Sequence, residues 1–530
     1  MSHFISKTAH ILFKVFCVLY IICVALSGPS VIFSNDKRFI LAVLLLLGCL
    51  LYLFFGSTII EFCKNKLGQP LQKLSTLQMM VIIGATALIT KLFFVLLLQN
   101  DANLHPDMQR YLSFANQIAR DGEITEYAWY AYRHKRTAVF GLILSPFALL
   151  FGESTQALTA GITLMLAISS VLLFDILRKY AGKSLSFVGI MVYNLMPFGL
   201  FQSQLLVHET PLLFFHILSL WLLLKAREKR TVPWLKLILI ILSAVSIGIG
   251  KNINPAGSVV VISLAIISFI DIIKDKITGK KLLKFTCFLL IFVLSVSATG
   301  SMLTATVDTM IPPDSHSEQI REKTLSYGWT LYVALSYDSH GGWNKDDYDT
   351  YYHYENIENI DEAKEYQRNL LKERINEYVE DPIKIPLLFI KKFYALWGDF
   401  WLTINCRQGN HIEQFLCTGM HSMISVALWM TTCLCYLIVL TTILFARKKN
   451  RSSNDLHCAT PGTHCRMVVL GVTVALMFSE VMPKYVSHLI LLVFAIWILS
   501  MKDFYNTSAL IRDAFFKRHT HKLQNANEDT

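Results

Sequence analysis

The sequence predicts an all-α polytopic membrane protein of about 12 transmembrane helices, with 10 to 14 as bounds, judged by the length a bilayer demands. Three observations carry that prediction. Hydrophobic residues make up 54% of the 530-residue chain and charged residues only 16%, a balance foreign to a soluble protein of this length. Apolar runs long enough to cross a bilayer core, which takes about 20 residues as a helix, recur from one end to the other. Lys and Arg collect in short clusters between those runs, as happens when one side of a membrane retains positive charge. The net charge of +11 follows from that arrangement and does not point to nucleic acid.

The runs cover residues 11–33, 39–62, 79–98, 156–177, 184–200, 205–224 and 234–250, then 256–273, 282–302, 423–445, 467–482 and 486–500. The first follows Lys7 and Lys14 and has no small-residue cleavage site before Ser27, so a retained helix is expected rather than a signal peptide. With the N-terminus inside, the basic clusters fall on the cytoplasmic side. These are Lys64, Lys66 and Lys73; Arg178, Lys179 and Lys183; Lys225 to Arg230; 274–284; 447–451; and a 503–530 tail with Lys517, Arg518 and Lys522. The orientation requires residues 138–151 to be re-entrant or interfacial, being too few to span.

Two outward segments result, 99–137 and 303–422. The second is acidic and aromatic-rich. Within it, Asp361 to Tyr378 spaces its charges as a solvated helix does. Residues 382–401 place Ile385, Leu388, Phe389, Phe393, Leu396, Trp397 and Trp401 beside Lys391 and Lys392, the pattern of a helix lying in the interface. Of the 11 cysteines, seven lie in or beside apolar helices as small hydrophobes. Cys406 and Cys417 fall outside the membrane and are candidates for a disulfide in an oxidising compartment.

Chemistry-bearing residues gather at the outward ends of helices. Asp107 follows a membrane helix by a few residues, where a lipid-linked headgroup would lie; equally, Pro106 and Asp107 are favoured where a helix begins. His208, Glu209 and Pro211 open an apolar run, and Glu209 either faces a polar cavity or pairs with a neighbouring cation at the interface. Lys251 and Lys484 fall near outward ends and could meet a phosphate, whereas Lys91 is placed to snorkel. Asp347-Tyr348-Asp349 matches a short metal-holding acidic pattern but sits in an acidic surface stretch, and His457, Cys458, His464 and Cys465 are irregularly spaced for zinc. No cofactor is called for, and a divalent cation is allowed without being indicated. The absence of a Gly-rich phosphate loop disfavours an ATP-driven pump.

Several stretches, in order, resemble the GT-C membrane glycosyltransferases related to protein O-mannosyltransferases and the aminoarabinose transferase of lipid A. HPDMQRYLSFANQIARDG resembles the family's first outward loop, RTAVFGLILSPFALLFGES the short apolar segment after it, and LLVHETPLLFFHILSL the later helix with an acidic residue. IGIGKNINPAGSVVVISLAI, DPIKIPLLFIKKFYALWGD and SEVMPKYVSHLILLVFAI resemble the Gly-rich helix end, the interfacial helix and the penultimate loop. Two departures stand out. A lone Asp107 followed by Met108 replaces the usual paired acids, and residues 1–78 form two additional N-terminal helices ahead of a 79–302 core, with 423–502 as the C-terminal membrane helices.

The resemblance implies Asp107 as general base and Glu209 as a second polar residue by the acceptor. It makes Arg110, Arg133, Arg136, Lys251 and Lys484 phosphate-binding candidates, with Tyr111, His208, Trp343 and Tyr485 as further substrate-binding ones. The implied partners are a polyprenyl-phosphate-linked sugar donor, such as one on undecaprenyl phosphate, a glycan or lipid-linked acceptor such as O-antigen, and membrane lipids. The expected setting is a bacterial cytoplasmic membrane with the site facing the periplasm. A glycosyl phosphate already carries a good leaving group, so one base and a cationic clamp suffice. An O-antigen polymerase or ligase is the rival enzyme, and a lipid or glycan transporter the rival of another class.

Overall fold

Prolines, glycines and polar caps decide where the apolar runs become helices. The computed structural model describes residues 2–27, 35–98, 106–204, 206–228, 230–272, 278–312, 328–398, 421–447 and 460–528; among them there is no strand. The chain enters through α1 (Ser2–Ser27), α2 (Asn35–Lys73) and α3 (Thr76–Leu98). At α3 a capping box fixes the start, with Gln78 N–H donating to Ser75 Oγ at 3.1 Å and Ser75 N–H to Gln78 Oε1 at 2.7 Å.

The first outward segment folds into α4 (Pro106–Arg120), α5 (Ala128–Arg133) and the start of α6 (Lys135–Phe151). Then α7 (Thr155–Ala181) begins at Ser154, whose side chain accepts from Ala157 N–H. The expected run 184–200 is not one helix. After α8 (Lys183–Leu195) the chain turns extended at Met196, and Pro197 opens the short α9 (Pro197–Phe201). Proline lacks the amide the helix needs and disfavours helical conformation before it. At Gly199 a Cβ would lie 1.9 Å from the Tyr193 carbonyl oxygen, so no other residue fits this break.

Lys91 answers the break. Rather than snorkelling, it is buried and donates to Gly199 O at 2.6 Å and Asn194 Oδ1 at 3.2 Å. The ammonium thus satisfies a carbonyl that the interrupted helix has freed.

The bundle continues with α10 (Glu209–Ala226), α11 (Pro233–Ile253), α12 (Gly257–Ile272) and α13 (Gly279–Met310), the last running past the expected boundary at 302. After α13 come α14 (Gly328–Ala334), α15 (Lys345–Glu355), α16 (Ile360–Glu380) and α17 (Lys384–Trp397). The expected solvated helix is α16, mostly exposed with Ala363, Gln367 and Tyr378 buried. The stretch expected to lie in the interface forms α17, with Ile385, Leu387 and Ile390 exposed. Trp401, Cys406 and Cys417 lie outside the described residues.

The chain closes with α18 (His421–Phe445), α19 (Thr460–Met477), a 3-10 turn over Pro483–Leu489, and α20 (Ile490–Glu528), which carries helix far into the expected tail. Among the described residues, eight helices are long and apolar enough to cross a membrane, and Gly257–Ile272, Thr431–Phe445 and Pro461–Met477 are shorter apolar helices. Burial concentrates in α7, α10 and α20, whereas α2 and α13 bury little and sit at the periphery.

Candidate active site

One face of α4 builds the first half of the site. Tyr111, Phe114, Ala115 and Ile118 recur at helical spacing and are buried, and α4 packs on α6. Gly141 permits the approach, since a Cβ there would meet Phe114 Cβ at 2.7 Å. Asp107 stands one turn before Tyr111 on that face. Its place in the first turn suits an acid by helix chemistry alone. Its contacts go further: Oδ2 accepts from Lys484 Nζ at 3.2 Å, across 377 positions, and Oδ1 from Arg110 Nη1 at 3.4 Å. The Arg110 guanidinium lies over the Tyr130 ring at 4.1 Å, which holds the cation in place.

The start of α10 supplies the second half. Glu209 is fully buried in the first helical turn, preceded by buried His208. Burial, with Arg136 and Lys484 nearby, holds His208 well below the usual histidine range, so the ring is neutral. One tautomer satisfies both its contacts: the Tyr111 hydroxyl donates to Nδ1 at 3.4 Å and Nε2–H donates to Glu209 Oε1 at 3.3 Å. Asn254 Nδ2 donates to the same oxygen at 3.3 Å, while Glu209 Oε2, buried, has no hydrogen-bond partner.

Aromatic residues of α15 adjoin α5. Arg133 donates to the Tyr351 hydroxyl and pairs with Glu355 at 3.6 Å, tying α5 to α15. Trp343 stacks on Tyr348 with ring centroids 4.9 Å apart. Burial and the Asp107 charge both push the Tyr348 hydroxyl up, which places that ring within the field of the carboxylate. His134 is driven down to about 3 by burial and by the arginines around it, so it stays neutral there.

The structure thus gathers Asp107, Arg110, Tyr111, His208, Glu209, Lys484 and Tyr485, with Arg136 acting on His208 through its charge. Arg133 and Trp343 instead contact Tyr351 and Tyr348 of α15. Lys251 is exposed at the end of α11, and among the described residues its side chain makes no contact with this cluster. The sequence points to neither Asn254, Tyr130 nor Glu480, and offers Tyr348 and Lys392 only as parts of an acidic stretch and an interfacial helix. Asn254 had a local signal: it precedes Pro255, and its Oδ1 accepts from Ala256 N–H at 2.9 Å, the turn chemistry of an Asn-Pro pair at a helix end.

Among the described residues no group of three or more His, Cys, Asp or Glu is arranged to hold a metal. Asp347 is engaged by Arg374 at 3.0 Å and by its own helix cap. His464 is bonded to His216 at 2.7 Å and Ser263 at 2.8 Å, and its expected companions His457 and Cys458 lie outside the described residues.

Residues 135–299, just under a third of the chain, match the dolichyl-phosphate-mannose-protein mannosyltransferase family. The match runs from α6 into α13 and includes Arg136, His208, Glu209, Lys251 and Asn254, whereas Asp107 and Lys484 flank it on either side. No curated protein matches the chain. Among solved structures, ArnT from Cupriavidus metallidurans, bound to undecaprenyl phosphate and in the apo state, resembles the chain at 9% identity. The resemblance covers 81% of this chain and 77% and 76% of those chains, each with a TM-score of 0.36. A likeness this distant assigns no residue and no substrate.

Proposed function

We propose that the chain is a membrane glycosyltransferase of GT-C type that moves a sugar from a polyprenyl phosphate, such as undecaprenyl phosphate, to a hydroxyl of an envelope glycan such as O-antigen, on the outer side of a bacterial cytoplasmic membrane. The observation that carries the reading is Asp107 held between Lys484 and Arg110 in the first turn of α4. Without donor, the carboxylate neutralises both cations. A donor phosphate entering beside them takes over Lys484 and Arg110, with Arg136 adding to the field. The carboxylate is then released towards the acceptor hydroxyl.

Asp107 accepts the hydroxyl proton as the new glycosidic bond forms, and the bond from the anomeric carbon to the phosphate oxygen breaks. The cations stabilise the charge arriving on that phosphate, so no general acid is needed. Attack opposite the leaving group inverts the anomeric centre. Glu209 and His208, set by Tyr111 and Asn254, present the acceptor with a carboxylate oxygen that has no other partner.

Membrane vesicles carrying the chain, supplied with a labelled polyprenyl-phosphate sugar and a glycan acceptor, should add one sugar per acceptor repeat by mass spectrometry. Transfer of a whole glycan from a diphosphate carrier would instead assign the chain to polymerisation or ligation. Movement of lipid with no sugar transferred would make it a transporter.

A further inference from the structure

The loop that delivers Lys484 to Asp107 is held by a second lysine. Lys392 lies on α17 at 1% exposure, and its ammonium donates to three backbone carbonyls: Ala334 O at 2.9 Å, Met477 O at 2.9 Å and Ser479 O at 2.8 Å. No carboxylate among the described residues pairs with it. Ala334 and Met477 are the last residues of α14 and α19, so the ammonium sits where two helices end with free carbonyls and the negative ends of their dipoles. A compact cation with three donors fits three converging oxygens.

The surrounding backbone is built around this charge. Gly341, in the left-handed region at φ 78°, passes so close that a Cβ there would lie 2.4 Å from Lys392 Cε. Its carbonyl accepts from Val481 N–H at 2.8 Å, which fastens the same loop a second time. Three residues later stands Lys484, with its neighbour Tyr485 donating to Glu480 at 3.0 Å. Thus residues 477–481 are fixed and residues 484–485 are carried by them.

We infer that Lys392 is a positioning residue: by gathering the carbonyls of Ala334, Met477 and Ser479, it sets where Lys484 meets the donor phosphate. The inference rests on the reading of Lys484 as a phosphate ligand. Lys392 itself touches neither Asp107 nor the reacting atoms.

The test is a double-variant cycle on the full-length chain in membranes, reading donor KM and kcat separately. Lys484→Met should raise donor KM about a hundredfold, and Lys392→Met about tenfold with kcat within about threefold, the scale of a misplaced binding group. The double variant should be no worse than Lys484→Met alone, because both changes act on one contact. Gly341→Ala, which leaves the ammonium present but displaces it, should raise donor KM in the same direction.

Additive effects, or a fall in kcat with donor KM unchanged, would overturn the inference while leaving the site reading intact. If Lys392→Met fails to reach the membrane, Lys392→Arg and Gly341→Ala decide the matter, and unchanged donor KM in both overturns it. Unchanged donor KM in Lys484→Met would remove the site reading and this inference together.

Discussion

The two ends of α10 put similar residues to different uses. At its C-terminal end the charges are consumed by one another. Asp175 Oδ1 accepts from Arg178 at 2.5 Å, Oδ2 accepts from Trp221 Nε1 at 2.8 Å and pairs with Lys225 at 3.4 Å, and Arg227 binds Asp271 at 2.5 Å and Ser268 at 2.6 Å. At its N-terminal end Glu209 is buried with one oxygen unbonded, His208 is neutral, and Asp107 and its two cations remain partly exposed. A finished polar network stabilises the bundle, whereas an unfinished one is stable only because the fold around it holds it open. On the proposed reading, the N-terminal end of α10 is the place for a substrate.

That contrast can be broken by measurement, starting with the largest expected effect. Asp107→Asn should lower sugar transfer by about a thousandfold or more while leaving the protein folded in the membrane, the scale of losing a general base. Activity within tenfold of the parent would remove Asp107 from the chemistry. At the opposite end, Asp175→Asn should leave transfer per folded molecule within about twofold but cost about 1–2 kcal/mol of stability, because it removes a buried, charged acceptor from the partly exposed Arg178 and Lys225. Thermal unfolding in detergent alongside a vesicle assay separates the two. Glu209→Gln should reduce transfer about tenfold, chiefly through acceptor KM, since the amide keeps the shape but loses an acceptor oxygen; an effect confined to stability would place Glu209 with the structural end.

The smallest effect concerns pH. Burial pushes Lys392 down from 10.5 to about 8. Because the folded value is the lower one, between these pH values the unfolded chain binds more protons, and this group makes stability rise with pH as it neutralises. The carbonyl clamp nevertheless loses its charge from the folded protein. Donor KM should therefore climb a few-fold above pH 8 with no matching loss of thermal stability, and Lys392→Arg, always charged, should flatten that limb.

Much of the site was legible because membranes make ionisable residues conspicuous. Glu209 interrupts an apolar run and Asp107 follows one, so both could be picked out without knowing their neighbours. Their pairing could not, since Lys484 meets Asp107 from 377 positions away. Lys392 reads, with Lys391, as part of an interfacial helix, yet it stands four residues from both Leu388 and Leu396, which are buried, so helical spacing places it on the inner stripe. For the fold, the apolar runs revealed the helices, but the break at Pro197 was concealed inside a run whose composition is uniformly apolar.

Lys91 has a consequence for how the protein is made. It belongs to the most apolar of the eight candidate spans, yet its partners Asn194 and Gly199 are encoded 103 and 108 positions later. At roughly 5–20 residues per second of synthesis, the ammonium waits several seconds or more in the bilayer before either partner emerges. A lone lysine at mid-membrane costs about 3 kcal/mol at insertion, which the oily neighbours of this one segment are suited to outweigh. The lipophilicity of that segment thus serves the nascent chain, carrying a charge through the interval before its companions are translated.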